Sequence, residues 1–551
     1  PSAIIPPSLA AHFHGRKRAE SGVRGETPAL RRAGLRMPRR PPWLIPAHAR
    51  QERSSVGVTE RALRVANRRA CSSIPYVRGD PDIVVIGSGL NGLVAACLLA
   101  RWGFRVVVLE AHPRRPGGAL ATEELTLPGF AHDVGPSWFP LAQGPALRAL
   151  DLSASGLRWL SPPLASCHLA RDGSRVALGR DVDVPSSRFD SEEDAATWRA
   201  LTARLASRRR SLEELLLGPS PPLRALLRLD VRDWVHLERV SLSSASSLGR
   251  SWFVTEAARS LLPGLALHAA WHPDERRSGL LAYFLALTTA AMGAPLPVGG
   301  ARSVTNALVT QLERHGGQLR LGSGVKEIVV RGGRVAAVRT EDGTELAVAR
   351  GVLADVPWAT LLLELVDARH WPSRALRQGR ELRRGTIPEP PALVQVNWAL
   401  AAPIPWACDL ARRSGVVHIG ELAIAQPSLF DPSRAPPGRH TASCAAPLPA
   451  GALHGTPAAD LVLSRPLDDL ATDLERRIEA FAPGFRAKIL ARRITLPGDG
   501  SGLPRGYPLP YFRYVTPIRG LYLCSGDTHP RPGIHGVCGS SAARRAARDL
   551  A

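Results

Sequence analysis

The pattern of apolar and polar positions is uneven along the chain, and ordered structure is expected where it becomes regular. Residues 82 to 86 (DIVVI) form an unbroken, mostly β-branched run of the kind a parallel strand covered on both faces requires. Gly87 to Asn91 then read as a turn, Gly92 to Trp102 as a helix and Arg105 to Glu110 (RVVVLE) as a second buried strand, together a βαβ unit. Beyond about residue 150 the pattern changes to helices laced with Arg and Pro. A compact helix and strand pattern returns over Leu296 to Leu321, followed by short strands at Val325 to Val330, Arg334 to Thr340 and Glu345 to Ala349. The pairs Gly332-Gly333 and Asp342-Gly343 suit the hairpin turns between them. The stretch from about 361 to 514 is mixed and Pro-rich. Finally, Gly520 to Cys524 (GLYLC) reads as a buried strand leading through a Gly-rich loop into a helix over Ser540 to Leu550. The longest apolar run, Gly279 to Ala294, falls short of the roughly 20 residues that span a bilayer. It reads as a buried helix, with docking on a membrane surface left open.

Charge changes this picture at one end only. Residues 1 to 80 hold 16 Lys and Arg against 5 Asp and Glu, a net of +11 out of +23 for the chain of 551 residues. They are rich in Pro, Arg, Ser and Ala without a sustained apolar period, so they are expected to be a disordered basic extension. A transit segment and translated upstream sequence are both open readings of it, with the functional chain starting near Val77. The remaining charge is diffuse, with no basic stripe interleaved with aromatic residues, which argues against a nucleic-acid partner. The seven cysteines, from Cys71 to Cys538, are scattered and contain no C-x-x-C pair or metal-type cluster. No metal site is expected, and the thiols are expected to be reduced in a cytoplasm-like compartment.

The chemistry is concentrated in a few loops. Gly87-x-Gly89-x-x-Gly92 lies between a strand and a helix. There Gly87 permits the tight turn, Gly89 lets the backbone approach a pyrophosphate, and Gly92 lets helix and strand pack closely. The helix N-terminus turns its N–H groups toward the phosphates. Glu110 ends the second strand, where a carboxylate can accept hydrogen bonds from both ribose hydroxyls and repel a 2′-phosphate, so NADP is disfavoured. Pro116-Gly117-Gly118 follows closely, and Gly117 and Gly118 would let the chain pass beside a ribityl-pyrophosphate, which favours FAD over NAD. Gly129 to Pro136 (GFAHDVGP) reads as a strand and turn, either structural or lining the edge of a flavin ring. No second Gly-x-Gly-x-x-Gly follows a strand, so a tightly bound NAD(P)H reductant is not expected.

Residues 83 to 140 resemble the N-terminal flavin-binding segment of phytoene desaturase-related FAD oxidoreductases, a group that includes amine-oxidase-like flavoproteins of the same fold. Two further blocks are similar to that family: Pro297 through Gly343, and Gly520 to Ala543 (GLYLCSGDTHPRPGIHGVCGSSAA). The resemblance implies that the backbone at Val325 contacts the adenine, that Asp527 accepts from ribityl hydroxyls, and that Gly533, Ile534 and His535 precede a helix whose positive end faces flavin N1 and O2. A lone His in a Gly-rich loop is more often structural, and His535 has that reading beside the cofactor one. Residues 496 to 516 are shorter than the matching stretch of the family, which bears on the substrate side and not on the cofactor.

The expected class is α/β, an FAD-binding Rossmann-like domain of the glutathione-reductase type with a discontinuous α+β substrate domain. The FAD domain would be assembled from about 81 to 150, 296 to 360 and 515 to 551, and the substrate domain from 151 to 295 and 361 to 514. The expected function is hydride transfer between a largely apolar or lipid-like substrate and flavin N5. The alternatives are an amine-oxidase-type flavoenzyme, which the scarcity of Lys disfavours, and a non-catalytic lipid or prenyl carrier on the same scaffold. No residue stands out as a catalytic acid or base. Peripheral membrane contact and the electron acceptor, whether oxygen, a quinone or a carrier protein, stay open.

Overall fold

Short runs that are apolar at every position must be covered on both faces, and here they build a parallel sheet. The computed structural model describes residues 80–551 apart from 136, 143, 181–186, 207–210, 212, 215–216, 219–229, 269–271, 384–392, 449–464, 497–513 and 531–532. The expected basic extension, up to residue 79, and 497 to 513 of the shortened stretch therefore lie outside the described residues. β1 (Ile83–Ile86) pairs in parallel with β2 (Val106–Leu109), Ile83 opposite Val106, and both are buried throughout. The crossover is α1 (Leu90–Arg101), which starts two residues before the expected Gly92 and is buried continuously from Gly92 to Ala100.

The chain then leaves this layer for three strands of a second sheet, β3 (Leu164–Leu169), β4 (Arg175–Leu178) and β5 (Arg188–Phe189), and for helices α2 (Glu256–Leu267) and α3 (Ser278–Met292). It returns through α4 (Ala301–Arg314) to β6 (Gln318–Arg320) beside β2. The meander β7 (Val325–Arg331), β8 (Arg334–Thr340) and β9 (Glu345–Ala347) follows, then β10 (Gly351–Ala354) beside β1. Gly332 and Gly333 both have positive φ, 58° and 73°, as the tight turn between β7 and β8 requires. A second excursion supplies β11 (Leu393–Leu400), β12 (Ser414–Ile419), β13 (Leu422–Ala425), β14 (His440–Pro447), α5 (Arg465–Glu479) and β15 (Ile489–Thr495). The chain ends with β16 (Leu521–Leu523) and α6 (Val537–Leu550), the latter starting three residues before the expected Ser540.

The parallel sheet thus runs β6-β2-β1-β10-β16, and the larger mixed sheet runs β15-β11-β14-β13-β12-β3-β4-β5. One face of the mixed sheet is closed by α5, whose Leu467, Ala471, Leu474 and Ile478 follow a helical period and pack with Val394, Val396 and Trp398 of β11. Gln395, on the other face of the same strand, borders a cavity instead. α3 is the apolar run noted in the sequence. It packs against α2, and among the described residues no helix is long and apolar enough to cross a membrane. The six described cysteines are free thiols.

A charged knot ties the loop at Arg434 to the start of α4 and to the segment 122 to 133. Asp133 accepts from Thr122 Oγ1 at 2.8 Å and from the Ala301 N–H of α4 at 2.9 Å, and it pairs at 3.0 Å with Arg434, whose Nε donates to Ala131 O. Both charged side chains are 2% exposed. Removing one partner leaves the other charged and out of water, so Arg434→Met is expected to lower stability by about 3–5 kcal/mol. Urea unfolding of the two proteins checks this; an unchanged midpoint would show that the pair carries no such weight.

Candidate cofactor site and adjoining cavity

The C-terminal ends of β1 and β2 bring the glycine motif and Glu110 together. Gly87 turns with φ 90° and donates its N–H to Leu109 O at 2.8 Å. Gly92 sits so close to that turn that a Cβ would lie 2.2 Å from Gly87 O. Gly89 caps α1 and supplies no side chain to take up the first N–H groups of the helix. Gly117 and Gly118, with φ 105° and 56°, lay their loop across this turn, and Gly117 N–H donates to Ser88 O at 3.1 Å. Gly89, Glu110 and Gly118 each keep some exposed surface beside a buried neighbour, Ser88, Leu109 and Gly117, so the three segments border a groove.

Ser88, an unassigned position of the motif, links its parts. Glu110 accepts from Ser88 N at 2.9 Å, from Ser88 Oγ at 2.5 Å and from His112 N at 2.8 Å. Val325 opens β7 next to this point, because Ser323 N–H donates to Glu110 O at 2.8 Å. On the other side, Asp527 follows β16 and accepts from Trp358 N at 2.6 Å. Gly533, Ile534 and His535 lead into α6 through Gly536, whose φ of 66° makes the final turn. His535 Nδ1 accepts from Val537 N at 3.0 Å, so this side chain also serves the start of the helix. Gly539 of α6 lies against the backbone of Asn91 in α1, where a Cβ would meet Asn91 O at 2.0 Å. The two helix N-termini therefore converge on the groove. Every residue singled out from the sequence lies along this one edge of the parallel sheet.

Asp355 was not among them. It follows β10, accepts from Gly92 N at 2.8 Å, and its Oδ2 lies 2.5 Å from where a Cβ on Gly89 would stand. Its carboxyl is pushed up to about 7, first by removal from bulk water and then by the charges of Glu110 and Asp527, against the opposing Gly92 hydrogen bond. A pyrophosphate in the groove adds negative charge and raises it further, so binding takes up a proton. Asp355 in its neutral form can donate to a phosphate oxygen. Dinucleotide affinity is therefore expected to fall as pH rises through about 7, approaching about tenfold per pH unit, and to flatten in Asp355→Asn. FAD titrations of apoprotein across that range check the sign: an affinity that rises with pH would contradict it.

The fit to FAD rests on this geometry. The Cβ-free backbone at Gly89 and Gly118, the acceptor at Glu110 and the converging helix ends match a pyrophosphate flanked by a ribose. A cavity of about 110 Å³ lies against the mixed sheet, and one of its wall residues, Gly135, packs on Ala119 next to Gly118. Val134, Gly135, Ser137 and Trp138 form its wall on the side of the strand and turn noted in the sequence, of which Pro136 is outside the described residues. The facing wall comes from β11 to β15, Leu496 and His268, and none of the described lining residues carries a full charge: the one titratable group, His268, is pushed down to about 3 by burial.

Comparison with known proteins agrees with this arrangement. A family model described as flavin containing amine oxidoreductase matches residues 90–480. The rat protein named pyridine nucleotide-disulfide oxidoreductase domain-containing protein 2 is 26% identical over 85% of this chain and 94% of its own length. A phytoene dehydrogenase from Streptomyces griseus is 28% identical over 82% of this chain and 90% of its own. Among solved structures, an oxidoreductase from Methanosarcina mazei superposes with a TM-score of 0.58 at 17% identity, covering 83% of this chain and 97% of that one. A putrescine oxidase variant gives 0.56 at 16%, covering 86% and 98%. Likeness at these identities establishes the shared fold, an FAD-binding Rossmann-like α/β architecture.

Proposed function

The chain belongs to the flavin containing amine oxidoreductase family and is an FAD-dependent oxidoreductase, and from that premise we propose that it moves a hydride between FAD and an uncharged, largely apolar organic molecule. The observation that carries this reading is the absence of full charge from the described walls of the cavity. An ammonium substrate would be desolvated there without a carboxylate to meet it, at a cost of several kcal/mol. The similarity to a phytoene dehydrogenase supports the same choice. The amine-oxidase reading is further weakened by the Lys content, three residues in the chain, of which the two described ones, Lys326 and Lys488, do not border the cavity.

Bound in the groove, FAD supplies the centre that accepts or returns the hydride. The chain's own residues bind and orient it. Glu110 takes the ribose hydroxyls, the N-terminus of α1 with Gly87, Gly89 and Gly92 faces the pyrophosphate, and Gly117 and Gly118 close over it. The backbone at Val325 meets the adenine. Asp527 takes ribityl hydroxyls with its remaining acceptor capacity, and the positive end of α6 after Gly533, Ile534 and His535 stabilises negative charge on the ring. The same assignment divides the molecule into an FAD domain around the parallel sheet and a substrate domain around the mixed sheet, with the cavity at their interface.

Anaerobic mixing of the FAD-loaded protein with a neutral isoprenoid polyene and, separately, with primary amines tests the proposal. Loss of the visible flavin absorption with the polyene alone supports it. Bleaching by amines alone overturns it in favour of amine oxidation.

A further inference from the structure

Three histidines that are far apart in the sequence form one array behind the cavity, His168 and His418 buried and His268 half-buried. His168 of β3 and His418 of β12 are direct neighbours across parallel strands, and their rings stack at 4.3 Å with 7° between planes. Gly264 of α2 makes room for them, since a Cβ there would lie 2.9 Å from His418 Nδ1 and 3.0 Å from His168 Cε1. His268 closes α2 and meets His418 edge to face, Nε2 to Nε2 at 3.3 Å. Its ring also packs on Trp138 at 4.2 Å, and both His268 and Trp138 border the cavity. The array therefore runs from the cavity wall inward.

A purely apolar wall would fill this space with leucine or phenylalanine at lower cost, because polar rings held from water without full pairing are destabilising. Both ring nitrogens of His168 and Nδ1 of His418 are without a hydrogen-bond partner among the described residues. Burial pushes His168 and His268 down to about 3, and His418 well below the ordinary histidine range, so the array is uncharged at neutral pH. A neutral imidazole has one donor and one acceptor nitrogen, and the hydrogen bond to His418 uses one of them. The other remains for a molecule in the cavity. Among the described residues no group of His, Cys, Asp or Glu is arranged to hold a metal, which separates this array from a ligand set.

We propose that His268 contacts the substrate, hydrogen-bonding through Nδ1 a hydroxyl or carbonyl oxygen of an otherwise apolar molecule, and that His418 is the positioning residue that holds the ring by Nε2. The inference rests on the functional reading above and narrows its substrate class to neutral molecules with an oxygen function near the reacting end. The cavity of about 110 Å³ is smaller than the roughly 300 to 1,000 Å³ of common ligand pockets, so it holds one end of such a molecule.

Ligand-detected NMR on the FAD-loaded protein, with cyclohexanol and cyclohexane as probes of one shape, tests this. The readout is the ratio of the two affinities, which removes their common apolar contribution. His268→Phe keeps the ring on Trp138 but removes the hydrogen bond, and is expected to lower the alcohol preference about tenfold. His268→Gln retains a polar contact and should keep most of the preference. His418→Phe should lower it and His418→Gln restore it. Should the Phe variants fail to fold, the histidine 15N shifts of the unmutated protein serve instead, and a His268 signal that ignores cyclohexanol overturns the proposal. An unchanged ratio in His268→Phe, or a protein that does not bind cyclohexanol, also overturns it. Loss of FAD binding by the unmutated protein would instead overturn the functional reading itself.

Discussion

Glu110→Ala is expected to purify largely without FAD. Glu110 is assigned two tasks in the groove, and alanine ends both. Its carboxylate holds Ser88 through the backbone N–H and the hydroxyl, and Ser88 in turn bonds the Gly117 loop. The same carboxylate is the acceptor placed for the ribose hydroxyls. Charge-assisted hydrogen bonds contribute about 1.5–3 kcal/mol each, so losing two of them weakens binding by roughly 150-fold or more. Removing this negative charge also eases the repulsion that raises the Asp355 carboxyl, but that gain acts on a single coupled group and is smaller. The strand end itself is held by backbone, Glu110 N to Arg320 O at 2.9 Å and Ser323 N to Glu110 O at 2.8 Å, so the fold should survive. Flavin content after gel filtration, with thermal unfolding of the apoprotein as control, checks both parts. Full occupancy in the variant would show that Glu110 does not meet the cofactor.

The legibility of the sequence varied with the physical signal each part carries. β1, α1 and β2 were readable because strands covered on both faces are apolar at every position, and because three glycines marked the turn. The β7 to β9 meander was readable from its Gly-Gly and Asp-Gly turns. β10 was not, since Gly351–Ala354 is short and small and its burial comes from neighbours at 83 and 521. The mixed sheet was hidden for a different reason. Its cavity-side positions include Ser166, His168, Gln395, His418 and Ser443, so its strands lack the continuous apolar run that marked β1 and β2.

The groove shows the same division. The glycines, Glu110 and Asp527 stand in recognisable local contexts. Ser88 occupies a motif position that any small residue can fill, and only its two bonds to Glu110 reveal its part. Asp355 reaches Gly92 across 263 positions, and His168, His268 and His418 meet through strand register and one helix end. No window of sequence contains those contacts.

Gly92→Ala is expected to be the most damaging single change in the groove, removing both FAD binding and much of the stability. The added Cβ would stand 2.2 Å from Gly87 O and 3.1 Å from both the Cβ and the Oδ2 of Asp355. Gly87 cannot yield cheaply, because its N–H is tied to Leu109 O and its φ of 90° already makes the turn. The start of α1 must therefore lift away from β1, breaking the hydrogen bond to Asp355 and loosening contacts with α4 and α6. Overpacking a close-packed site costs about 1–3 kcal/mol, and a backbone obstacle places this case at or above the upper end. Gly89→Ala is the informative comparison. Its Cβ meets chiefly the Asp355 side chain, at 2.5 Å, which can rotate aside. That variant should fold with a nearly normal melting temperature and fail to hold FAD, because the methyl group occupies the approach to the helix N-terminus. Thermal unfolding and flavin content, measured on both, separate the two glycines: Gly92 closes the strand against the helix, and Gly89 admits the phosphates. If Gly92→Ala melts like the unmutated chain and keeps its flavin, the close contact between α1 and the turn is not a constraint on this fold.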